Sequence, residues 1–98
     1  MSDRVLTPDA LQADLGPEHT LIIARLGSTD VGLWEMEPGT IEDTEVEEVC
    51  LMLAGRGTVQ FEDGEVVTLA PGLALHLRAG ERTVWTVTET LRKVYVAL

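Results

Sequence analysis

Glu48, Cys50 and Met52 stand two residues apart in a run of extended character. Alternation along a strand puts all three on one face. A carboxylate on such a face must be paired, hydrogen-bonded, metal-bound or protonated, because an isolated buried charge is too costly. Its partner is either an arginine among Arg78, Arg82 and Arg92, a bound ligand, or a metal ion. Thr83 and Trp85 share another face by the same parity, and Trp34 is the second of the two indoles. Two indoles in a mostly aliphatic chain either fill a core or wall a pocket. A carboxylate among indoles and a hydroxyl suits a small ligand carrying a hydrogen-bond donor or a positive charge.

Other groups carry weaker chemistry. Cys50 has no histidine nearby in sequence to activate it and reads as a small hydrophobe. His76 alternates against Leu75 and Leu77; it becomes a pocket histidine if its face looks inward, and a hydrogen-bonded core or interface histidine otherwise. His19 precedes the first strand and reads as solvated. The run from Glu42 to Glu48 offers oxygen ligands to a hard cation, but lacks the spacing and glycine of a calcium loop, so it reads as a solvated loop. Gly55-Arg56-Gly57 reads as a turn, and neither a phosphate-cradling loop nor a nucleophile elbow is present.

The elements that must position these groups are short strands. Thr20–Leu26, Val31–Glu37, an apolar strand ending at Gly55, and the segments 58–61, 65–69, 73–77, 83–88 and 91–97 give about eight, separated by turn residues. Glu62-Asp63-Gly64 is a hairpin signal, because Asp-Gly tolerates positive φ. Such spacing predicts a sandwich or barrel, and no long helices offer a βαβ alternative. Ahead of the strands, Thr7-Pro8-Asp9 opens like a helix and Gly16-Pro17 closes it, which predicts a short helix over residues 8–15 with Leu11 and Leu15 on its apolar side.

The 98 residues make one domain, 1–98, with an arm over 1–19 and a barrel over 20–98. A net charge of −10, from 17 acidic and 7 basic residues, repels phosphate, so neither nucleic acid nor anionic membrane is an expected partner. A single cysteine forbids an internal disulfide. Without a leader-like start or an apolar window of membrane length, a cytoplasmic location is expected.

The order of the glycine turns resembles the cupins (RmlC-like barrels). Two short motifs carry the resemblance. In the first, Gly55 anchors the pattern and Glu48 falls on the motif glutamate, while Glu42 and Thr44 (or Ile41 and Asp43) occupy the two histidine positions. In the second, Gly72 and Gly80 fit, Arg78 replaces proline, Thr83 replaces the third histidine and Val87 replaces asparagine. Gly32-Leu33-Trp34…Pro38-Gly39, Thr83-Val84-Trp85 and Arg92-Lys93-Val94-Tyr95 resemble the small single-domain cupins similar to ureidoglycine aminohydrolase and the ethanolamine-utilisation cupins. The resemblance implies an all-β fold, a cupin-type antiparallel jelly-roll barrel, here with the short N-terminal helix. It turns Glu48, Cys50, Met52, Thr83 and Trp85 inward. With the motif histidines replaced, no metal and no cofactor are expected. The expected function is binding of a small polar molecule by Glu48, Trp34, Cys50, Met52, Thr83, Trp85 and His76. A metal-dependent, aminohydrolase-like enzyme with a carboxylate-rich site, and a non-catalytic assembly cupin, are the alternatives. The apolar segment Leu21-Ile22-Ile23-Ala24 is a poor uncovered edge, which points to a homodimer using the N-terminal region.

Overall fold

The computed structural model describes residues 3–98. These form seven antiparallel strands: β1 (Thr20–Leu26), β2 (Thr29–Met36), β3 (Gly39–Thr44), β4 (Glu48–Phe61), β5 (Val66–Leu69), β6 (Ala74–Leu77) and β7 (Arg82–Ala97). The strands β4 and β7, 14 and 16 residues long, run through both faces of the barrel. Residues 48–54 and 91–97 lie in one sheet, in the order β1-β2-β7-β4-β6. Residues 57–61 and 82–87 lie in the other, in the order β3-β7-β4-β5. Between them, Cys50, Met52, Val59, Leu69, Leu77, Trp85, Val87 and Leu91 form the core. Eight expected strands thus become seven, because four of the expected segments are halves of β4 and β7, and β3 forms within what read as a loop.

Continuity through the bend has a local cause. The register of β4 against β7 shifts between Met52 and Gly57. Gly55 lies there with φ of 100°, and a Cβ on it would run into the Thr90 carbonyl and the Leu91 backbone. Only glycine lets the two strands cross so closely while adopting that φ. Gly55-Arg56-Gly57 is therefore a bend inside β4 rather than a turn ending it.

The helix expected over residues 8–15 does not form; the segment holds only turns. The cause lies in where its polar groups go. Asp9 accepts from the Leu11 amide at 3.0 Å, and Asp14 from the Gly16 amide at 2.8 Å. Such local bonds compete with helix. The Ala13 carbonyl would need the amide of residue 17, which is Pro17 and has none. Arg92 takes over instead, donating from Nη1 to the carbonyls of Ala10 at 3.0 Å and Ala13 at 2.8 Å, while its Nη2 donates to Glu35 at 2.6 Å. The arm is held across the sheet by one guanidinium, with Leu15 buried beneath it.

Candidate functional site

Register brings a row of side chains to the inner face. Thr20 pairs with Trp34, Trp34 with Lys93, and Lys93 with Met52, across β1, β2, β7 and β4. Trp85 faces them from the other half of β7. The two indoles lie 5.9 Å apart, tilted by 59°. The Lys93 ammonium sits 4.9 Å from the Trp34 ring centre and 5.1 Å from that of Trp85. It donates to Glu48 Oε2 at 2.6 Å. Both partners are buried, Lys93 at 6% and Glu48 at 8% exposure. Glu48 is therefore paired with a lysine and not with the arginines considered from sequence: Arg78 and Arg82 are exposed, and Arg92 is turned to the arm. Two π faces and a carboxylate around one ammonium are a favourable desolvated arrangement for a cation.

A second carboxylate lies beside this pair. Glu45 is 6% exposed, and its Oε2 accepts from Thr83 Oγ1 at 2.6 Å and from the Trp85 indole N–H at 3.0 Å. Its backbone is pinned as well: its amide donates to the Glu81 carbonyl, and its carbonyl accepts from the Gly80 amide. Sequence placed Glu45 in a solvated loop; two hydrogen bonds to β7 bring it into the barrel. Neither Glu45 nor Glu48 receives a hydrogen bond at Oε1 from the described residues, and neither Oε1 is sealed from solvent.

These groups border a pocket of about 340 Å³, walled by Trp34, Trp85, Glu45, Glu48, Lys93 and Tyr95. Glu18 and Asp43 stand at its rim, giving four carboxylates against one ammonium. The Tyr95 ring packs so closely on Gly32 that a Cβ there would overlap it, which accounts for the glycine of the Gly32-Leu33-Trp34 segment. Of the residues singled out from sequence, Trp34, Glu48 and Trp85 line the pocket. Thr83 is buried behind Glu45. Cys50 and Met52 lie in the core, 2% and 1% exposed. Burial pushes the Cys50 thiol up to about 11, which leaves it protonated and unreactive at neutral pH.

His76 is elsewhere. It projects from the outer face of β6, exposed, with Nε2 2.5 Å from Glu47 Oε2. Inward position on β6 belongs to Leu75 and Leu77. That bond, together with the Ala79 amide, holds the Glu47 carboxyl below the usual carboxylate range. A wider groove of about 810 Å³ lies between β3 and the start of β7, near Glu42, Phe61 and Arg82. Its one buried polar side chain, Thr83, is turned to Glu45.

Lys93, Glu45 and Tyr95 are the site residues that sequence reasoning missed. Lys93 and Tyr95 have the same parity as Thr83 and Trp85 along β7, so alternation alone could have flagged them. Glu45 had no such signal, because its orientation depends on hydrogen bonds to a distant strand.

The cupin motifs imply a metal, and the side chains here do not fit one. Among the described residues, no three His, Cys, Asp or Glu side chains converge on a common point. At the histidine positions, Glu42 and Thr44 are exposed and Thr83 is bonded to Glu45. The motif glutamate, Glu48, faces an ammonium, which repels a second cation.

A DUF861-family protein from Thermotoga maritima is 30% identical over 67% of this chain and 76% of its own, with a TM-score of 0.63. A protein of unknown function from Rhizobium leguminosarum is 29% identical over 84% of this chain and 83% of its own, with a TM-score of 0.72. The EutQ protein of Clostridium difficile shares the fold at 21% identity and a TM-score of 0.63; the match covers 70% of this chain and 55% of EutQ. No curated protein is significantly similar to this sequence. The profile of the EutQ-like cupin domain matches residues 23–95. The chain is a cupin and belongs to the EutQ-like cupin domain family.

Proposed function

We propose that this cupin binds a small polar molecule carrying N–H donors or a positive charge, in the pocket beside Trp34. One observation carries the reading. Glu45 and Glu48 are both more than nine-tenths buried, and each commits one oxygen to the protein while leaving the other to the pocket. Each free oxygen is an acceptor within reach of solvent, and in a site walled by two indoles a ligand N–H group can make a charge-assisted hydrogen bond to it. The surplus of carboxylates over ammonium at the pocket favours a cation over an anion. The net charge of −10 keeps nucleic acid and anionic membrane outside the proposal. No helix among the described residues is long and apolar enough to cross a membrane, and the reading assigns the cupin to the cytoplasm.

The test is a thermal-shift screen of small amines, amidines, ureas and carboxylates, followed by titration of tryptophan fluorescence. A native-state ligand must raise stability. Glu45→Gln should weaken a hit by about ten- to hundredfold, the loss of one charged hydrogen bond. Glu48→Gln is the poorer probe, because it also strands Lys93. A screen in which only anions stabilise the protein would refute the reading.

A second reading, assembly through a surface, has its own observation. The outer face of the β1-β2-β7-β4-β6 sheet exposes Leu21, Val49, Leu51 and Val96 in adjacent register rows. We infer that a second copy covers it, forming the homodimer. Leu21, Val49, Leu51 and Val96 are all apolar, so contact through them sets no like charges directly against each other. Five strands about 4.8 Å apart and roughly 20 Å long make a face of about 500 Å², at the lower limit of what a specific interface buries on each partner. Light scattering should report a dimer that Leu51→Asp converts to a monomer; a monomeric wild type refutes it.

A further inference from the structure

The Lys93 ammonium is bonded to one of the two cupin-motif positions that kept a polar inward side chain and faces the indole that the other one touches. Glu48, the motif glutamate, is 2.6 Å away. Thr83, at the position of the third histidine, is 3.1 Å from the Trp85 indole nitrogen, whose ring the ammonium faces at 5.1 Å. Cys50 stands two residues along β4 from Glu48, in register with Tyr95, and is buried. One carboxylate and two indole rings thus surround one buried positive charge, and that charge is covalently part of the chain.

We propose that Lys93 is the resident cation of this barrel, occupying with an ammonium the place where the motif would otherwise assemble a metal. The chemistry requires some cation there. Glu48 is only 8% exposed, and a buried carboxylate with no partner is costly. A tethered ammonium is present in every folded chain, whereas a metal must be acquired. It also excludes a metal, since a divalent ion at Glu48 would stand within a few ångströms of a positive charge in a low-dielectric site. The ammonium offers no open coordination position, so a ligand in the pocket meets carboxylate oxygens and indole faces. This inference does not depend on the ligand proposed above.

The prediction is that the metal site is one substitution away. Lys93→His removes the excluding charge and places an imidazole beside Glu48, a nitrogen and oxygen donor pair suited to zinc, nickel or cobalt. Metal-free wild type and Lys93→His are titrated with Zn²⁺ and Ni²⁺ by calorimetry, and with Co²⁺ by visible absorption. Wild type should show no saturable binding, and EDTA should leave its Tm unchanged. Lys93→His should bind close to one equivalent, at least tenfold more weakly after adding Glu48→Gln. A wild-type site abolished by Glu48→Gln overturns the proposal, as does a folded Lys93→His that binds no better than wild type. Should Lys93→His not fold, Lys93→Ala is titrated with n-propylammonium. Saturable stabilisation that tetramethylammonium fails to reproduce supports an ammonium site; absence of it overturns the proposal.

Discussion

Removing the ammonium of Lys93 is the sharpest perturbation of this fold. In Lys93→Met the stem length is kept, and the charge and three N–H donors are lost. Glu48 then keeps its carboxylate at 8% exposure with nothing to accept from, among two indoles, a thiol and a thioether. Breaking a buried pair by removing one partner costs about 3–5 kcal/mol, because the other charge stays behind. Losing two cation–π contacts adds about 1 kcal/mol or more. For a domain of this size, each kcal/mol lowers Tm by roughly 4–8 °C, so a total loss of about 4–6 kcal/mol lowers it by roughly 16–48 °C. Glu48→Leu should behave similarly, stranding the ammonium. The double variant, which removes both charges, should be far closer to wild type, since replacing a whole buried pair by apolar groups is often neutral. Equilibrium denaturation of the four proteins gives the coupling energy directly. Near-additivity of the two single losses would refute the account, and so would a Lys93→Met variant within about 1 kcal/mol of wild type.

Two further outcomes follow from ionisation. The Cys50 thiol, raised by burial from 9.0 to about 11, should react with iodoacetamide at pH 8 at least about a hundredfold more slowly in the folded than in the unfolded chain, on thiolate population alone. Glu35 is held below its ordinary 4.5, chiefly by its hydrogen bond from Arg92. A depressed carboxylate contributes stability that is fully present above the unfolded value and lost as pH falls through the folded one. Glu35→Gln should therefore flatten the acid side of the stability profile below about pH 4.5. Arg92→Met should abolish the same effect and expose the arm to proteolysis near Leu11 and Glu18.

Sequence carried the barrel, because strand spacing and turn chemistry are local. Asp63 and Gly64 make the β4–β5 turn with Gly64 at φ of 93°, as their residue types require. Parity put Glu48, Cys50 and Met52 on one face, and all three are buried together. The arm was misread because Thr7-Pro8 and Gly16-Pro17 are real local helix signals, overridden by Arg92 some 80 positions away. Glu48's partner was sought among arginines, although alternation from Trp85 along β7 reaches Lys93. Glu45 was illegible for a different reason: its direction is set by Thr83 and the Trp85 indole, and no periodicity encodes a hydrogen bond between distant segments.

The passage of β7 through both sheets bears on how the chain comes to be folded at all. That strand pairs with β2, β3 and β4, so it is the common neighbour of most of the barrel. Before residues 82–97 are available, β3 has no partner and β2 keeps only β1. Little of the structure can form as synthesis proceeds, and closure of long loops must precede most of the favourable contacts. Folding is then a late, concerted event, with millisecond-to-second kinetics typical of such all-β topologies. Until it happens, β3 and the edges of β2 and β4 that face β7 are unpaired. The acidic surplus that keeps copies apart in that interval serves the nascent chain as much as the finished one.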